Sequence, residues 1–119
     1  MALLGKMFRL TEQEITCHYW IIISEPLGGM VLSINLTDGG KCQDSPCHLR
    51  IGEHQCITKP SAVNYRKSKE FRADILLAEL ENPRFLQFYE EASPALLSKI
   101  VEGAKQADDL TARFLNYLR

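Results

Sequence analysis

The chain has 119 residues, of which 45% are hydrophobic and 24% charged, and its formal net charge is −1. That length supports a single core without staples, and the composition is that of a globular domain, not a disordered or fibrous chain. Near-neutral charge excludes a global attraction to nucleic acid, and no apolar run approaches the about 20 residues of a membrane span.

The opening stretch, MALLGKMFRL, is too short and too polar for a secretory leader, because Gly5, Lys6 and Arg9 interrupt its apolar residues. A cytoplasmic location is therefore expected, with Cys17, Cys42, Cys47 and Cys56 as reduced thiols. Residues 6–10 can supply a short strand before the polar run Thr11-Glu12-Gln13-Glu14.

From His18 to Thr37 two runs rich in Ile, Val, Trp and Tyr flank Pro26-Leu27-Gly28-Gly29, the pattern of a β-hairpin. Setting Glu25 opposite Met30 places His18 opposite Thr37. One face then carries Tyr19, Ile21, Ile23, Met30, Leu32, Ile34 and Leu36, all apolar. The other carries His18, Trp20, Ile22, Ser24, Val31, Ser33, Asn35 and Thr37, which grow more polar toward the open end. A slip of one residue scrambles this segregation, so the pattern favours the stated register.

Residues 38–46 are dense in turn formers and read as a loop. Short strands are expected at Cys47–Ile51, Gln55–Thr58 and Ala62–Tyr65, so that the chain up to Phe71 reads as a small barrel or sandwich. The period then changes. Ala73–Leu80 has helical composition and stops at Asn82-Pro83, and Phe85, Leu86, Phe88 and Tyr89 form an apolar patch compatible with another helical turn. Ser93-Pro94 is a helix start, a hydroxyl N-cap before a proline at the first helical position. That helix buries Leu96, Leu97, Ile100, Val101 and Ala104. A last helix is expected from about Asp109, with Leu110, Phe114, Leu115 and Leu118 on one stripe.

Three groupings could carry chemistry. His18, Thr37 and Asn35 combine an imidazole, able to move protons near neutral pH, with a hydroxyl and a carboxamide able to orient a substrate; the plain alternative is a polar strand end. Cys42, Cys47, His48, His54 and Cys56 are metal-ligand types, yet the paired spacings of zinc sites are missing and no metal is assigned. In residues 59–72, Lys59, Arg66, Lys67, Lys69 and Arg72 surround Tyr65. Cations interleaved with an aromatic suit single-stranded nucleic acid, while a solvated connection between strand and helix explains the same charges.

Taken together, these pieces resemble the PemK/MazF family of bacterial toxins, mRNA-directed endoribonucleases on a small SH3-like β-barrel. His18-Tyr19-Trp20-Ile21-Ile22-Ile23-Ser24 looks like the family's apolar strand, and Ile34-Asn35-Leu36-Thr37 is similar to its P-I-T-S motif. His48–Gly52 through Ser61–Tyr65 looks like its strand–Gly–turn–Ser-x-Val–strand segment, and Pro94–Lys105 is similar to its closing helix. Asp44, Cys47, Gly52, Glu53 and His54 also resemble a D-x-x-C…G-[DE]-H pattern of uncharacterised bacterial proteins. The toxin resemblance implies Thr37 at the catalytic threonine and His18 where the family has arginine. It also implies an antitoxin protein as partner and a homodimer.

The expectation is a single α+β domain over residues 1–119: a small SH3-like antiparallel barrel over 1–71, then helices over 72–119. Its expected function is toxin-like endoribonuclease, a hydrolase cutting single-stranded RNA through its own 2′-hydroxyl, with no cofactor or metal. His18 would move the proton and Thr37 hold the phosphate. Asn35, Arg66 and Lys67 would contact RNA, with His54 and Tyr65 as further acid or stacking candidates. The competing expectation is a non-catalytic protein- or peptide-binding module on the same barrel.

Overall fold

The computed structural model describes residues 3–11, 19–108 and 110–119. Its strands are β1 (Met7–Leu10), β2 (Trp20–Ile22), β3 (Met30–Asp38), β4 (His48–Leu49), β5 (Ser61–Arg72) and β6 (Leu86–Tyr89). Its helices are α1 (Ala73–Glu81), α2 (Pro94–Gln106) and α3 (Ala112–Leu115), the last followed by a 3-10 turn at Asn116–Leu118. The strands form one six-stranded antiparallel sheet in the order β4-β5-β3-β2-β1-β6.

The hairpin forms in the expected register, with Trp20 opposite Asn35, Ile21 opposite Ile34 and Ile22 opposite Ser33. Its tip is tighter than the four-residue loop. Leu27 and Met30 exchange both backbone hydrogen bonds (2.8 and 3.2 Å) around Gly28 and Gly29. Both glycines have positive φ, 60° and 79°, which side chains larger than hydrogen resist. Just before the tip the Ser24 hydroxyl accepts the Leu32 N–H at 2.9 Å, replacing a backbone acceptor where β2 leaves the ladder.

Alternation along the strands sends the side chains to two separate cores. On one face Met7, Ile21, Leu32, Ile34, Leu36, Val63 and Tyr65 pack with Leu96, Ile100 and Ala104 of α2. On the other Phe8, Ile22 and Val31 pack with Ala73 and Leu76 of α1. Each large aliphatic group removed from water there is worth about 1.5–3 kcal/mol. The second face of the hairpin, expected to be increasingly polar, is thus mostly covered by α1 and a row of ring contacts from Trp20 through Phe71 and Phe8 to Phe88.

The sheet is open, with β4 and β6 as its edges, so the expected closed barrel does not form. Helices cover both faces, which removes the need for the sheet to curl on itself. Nor does the sheet stop at residue 71. β6 pairs with β1 from Met7↔Tyr89 to Leu10↔Leu86, so residues 86–89 are a strand where a helical turn was expected. The switch is made by Glu79, only 8% exposed, whose carboxylate accepts the N–H groups of Arg84 (2.8 Å) and Phe85 (3.2 Å) as the chain leaves α1. No strand forms at 55–58, where 55–56 are a turn and 57–58 are irregular, and Cys47–Ile51 yields only His48–Leu49 as strand.

Two helix expectations hold. α1 spans Ala73–Glu81. Ser93 caps α2 through its hydroxyl, which accepts the Leu96 N–H at 3.1 Å, and Pro94 opens the helix. The C-terminal helix begins later than expected, capped by Thr111, whose hydroxyl accepts the Phe114 N–H; Asp109 lies outside the described residues.

Candidate functional site

β5 is the longest strand, 12 residues, and its two edges are treated differently. β3 pairs with it from Asp38↔Ser61 to Met30↔Arg72. β4 pairs only with Ser61 and Ala62, followed by a hydrogen bond from the Val63 N–H to the Cys47 carbonyl (3.0 Å). Midway, Ile34 of β3 alone opposes Tyr65, Arg66, Lys67 and Ser68, a bulge that bends the strand.

The bond from the Ala73 N–H to the Gly29 carbonyl (2.9 Å) sets the phase beyond the bulge. Phe71 and Lys69 turn their backbone groups toward β3, and Glu70 and Arg72 turn theirs outward. Among the described residues nothing accepts the outward N–H of Glu70 or Arg72. Ordinarily such an edge templates further pairing.

The side chains along this edge are mainly cationic. Lys67, Lys69 and Arg72 are exposed. The Arg72 guanidinium is bound to Asp74 (2.7 Å), and the Lys69 ammonium sits 5.5 Å from the centre of the Phe71 ring. Glu70, on the α2 face, is occupied by Arg113 of α3 and the Tyr117 hydroxyl, so its charge is compensated. Lys59, at the other end, is paired with Asp38 (3.3 Å). Arg66 borders a hollow of about 180 Å³ that is also lined by Cys42, Asp44, Ser45, Tyr65 and Asp108.

The residues singled out in the sequence fall in several places. His18 and Cys17 lie outside the described residues. Thr37 is half-buried on β3 opposite Ala62, and Asn35, opposite Trp20 and Asn64, is 1% exposed. These two share a face of β3, while Arg66 and Lys67 are exposed on the bulge of β5. Tyr65 is core. It is 3% exposed, and its hydroxyl donates to the Ile100 carbonyl of α2 at 2.7 Å. Burial, then the neighbouring Cys47, pushes its phenol well above the ordinary range. Its ring offers no free face to a nucleobase.

His54 is structural as well. Its Nδ1 accepts the Cys56 N–H (3.0 Å), which fixes the proton on Nε2, and Nε2–H then donates to the Glu90 carbonyl (2.7 Å). With both nitrogens engaged and 5% exposure, the ring ties the 52–56 turn to the end of β6. Cys47 is buried, which raises its thiol pKa, and Cys42 and Cys56 are half-buried and not disulfide-bonded. Among the described residues, no three His, Cys, Asp or Glu side chains are grouped to hold a metal ion. No described helix is long and apolar enough to cross a membrane.

Sequence reasoning missed the outward backbone of Glu70 and Arg72. The alternation Val63/Tyr65 signalled a strand, but the run Arg66-Lys67-Ser68-Lys69-Glu70 read as a solvated connection. In comparisons with protein-family models, curated proteins and solved structures, the chain matches none.

Proposed function

We propose that the protein is a non-catalytic binding module that takes an extended, acidic segment of a partner protein as an added strand along the outer edge of β5. The observation that carries this reading is the outward backbone of Glu70 and Arg72, unpaired among the described residues, beside exposed Lys67 and Lys69. Backbone groups give a strand its affinity, and the flanking charges choose which strand. Lysines on an edge repel a second copy of the same edge, which guards against self-pairing. The same lysines attract a carboxylate-bearing strand. Guarding and selecting are therefore compatible.

A second reading keeps the metal-independent endoribonuclease of PemK/MazF type, with its SH3-like strand arrangement, homodimer and antitoxin partner. What favours it is the shared face of Thr37 and Asn35 on β3, with Arg66 and Lys67 exposed on the adjoining strand.

One experiment separates the two. The protein is titrated with a synthetic peptide alternating Glu and Val, and in parallel with a single-stranded RNA oligomer, while amide resonances are followed and the RNA is checked for cleavage. The module reading expects the peptide to shift and protect the Glu70 and Arg72 amides, with the RNA left intact. RNA cleavage that is lost in Thr37→Ala supports the endoribonuclease. No response of either amide to the peptide overturns the module.

A further inference from the structure

The α1 side of the sheet holds a polar group of side chains that the binding-module reading does not use. The Trp20 indole N–H, the Ser33 hydroxyl and the Asn35 carbonyl oxygen are all sealed from solvent, and none has a hydrogen-bond partner among the described residues. Ser33 is 0% exposed and Asn35 1%.

The register brings these groups together. Leu36 donates to Tyr19 (2.9 Å) and Ile23 to Leu32 (2.9 Å), so the even-numbered residues of β3 bond to β2. Trp20 and Asn35 are therefore a non-bonded pair, the type whose side chains stand closest. Ser33 follows two residues away on the same face. The indole meets the Phe71 ring of β5 at 5.4 Å, so it reaches from β2 across β3 and roofs the position of Ser33. A fourth group without a partner among the described residues, the Ser68 hydroxyl, lies in the bulge next to the Ser33↔Lys69 pair.

Orphaned donors and acceptors in a sealed place are costly, and native proteins pair nearly all of them. The donor, the acceptor and the hydroxyl that can act as either are uncharged and complementary to a small neutral molecule with both capacities. Buried water characteristically satisfies such otherwise unpaired polar groups, making two to four hydrogen bonds (roughly three on average). We infer that Trp20, Ser33 and Asn35 form an internal hydration site in which ordered water accepts from the indole N–H and donates to the Asn35 carbonyl oxygen.

Trp20 is the only tryptophan in the chain, so its indole N–H resonance is unambiguous. The test measures cross-relaxation between that proton and water in the intact protein, in wild type, Ser33→Ala and Asn35→Leu. The site predicts a cross-peak with the sign of a long-lived water in wild type. The cross-peak persists in Ser33→Ala, where no hydroxyl remains to relay exchange from position 33, and is lost in Asn35→Leu. Absence of the cross-peak in wild type overturns the inference, as does its loss in Ser33→Ala. The wild-type and Ser33→Ala results decide the matter even if Asn35→Leu does not fold.

Discussion

The two ends of the sheet solve the same problem in different ways. At β6 side chains tie down the two ends of the edge strand. Glu79 accepts the N–H groups of Arg84 and Phe85 where the strand begins, and His54 donates to the Glu90 carbonyl where it ends. At β5 the short β4 covers only Ser61 and Ala62, and past the bulge the outward backbone is flanked by Lys67, Lys69 and Arg72. One edge is pinned at its two ends by hydrogen bonds to side chains, the other is guarded by charge. A bonded edge is part of the fold's stability, whereas a charged edge contributes little to stability and is left available for recognition.

The sharpest way to break this contrast is at His54. His54→Leu leaves the Glu90 carbonyl and the Cys56 N–H without their partner. A loss of about 3 kcal/mol is expected in denaturant unfolding, together with faster amide exchange along β6. At Glu79 the contrast becomes a pH dependence. The N–H of Arg84, then that of Phe85, holds its carboxyl below the usual carboxylate range. Its contribution to stability is therefore complete above the unfolded value of about 4.3 and is lost as pH falls through the lowered folded value. Glu79→Gln is expected to be less stable than wild type at neutral pH, with the difference shrinking in acid. Thermal melts across pH 2–7 (roughly the span of carboxylate titration) would show this, and a difference independent of pH would count against the role given to Glu79.

A smaller effect is expected inside β5. Tyr65→Phe removes the bond to the Ile100 carbonyl and should cost about 1 kcal/mol, with the carbonyl still able to serve within α2. The smallest effect on stability belongs to the charged edge. Lys67→Glu combined with Lys69→Glu should alter stability by no more than about 0.5 kcal/mol, while abolishing the response to the Glu/Val peptide. A large loss of stability from that pair would make the lysines part of the fold, not of a recognition surface.

Much of the hairpin was legible in the sequence, because alternation between Tyr19 and Leu36 separates an aliphatic face from a mixed one. The start of α2 was legible for a local reason, the Ser93 hydroxyl before Pro94. Local signals do not say which strands become edges. Phe85 to Tyr89 is too short an apolar run to distinguish helix from strand, and only pairing with β1 decides it. The same holds for the site. Tyr65 and His54 are residue types suited to RNA, but Tyr65 follows Val63 into the α2 core and His54 spends both nitrogens on backbone groups. The mixed face of the hairpin was read correctly as to composition; its coverage by α1 depends on groups more than fifty residues away in the chain, such as Ile22 with Leu76 in one core.

The central claim is that the backbone of β5 is open on its outer side beyond the bulge, and native-state amide hydrogen exchange tests it residue by residue. The Glu70 and Arg72 amides should exchange orders of magnitude faster than that of Phe71 between them, whose groups face β3. Glu70 and Arg72 amides as slowly exchanging as Phe71 would mean that this edge is already closed, and the proposed docking of a partner strand would be contradicted.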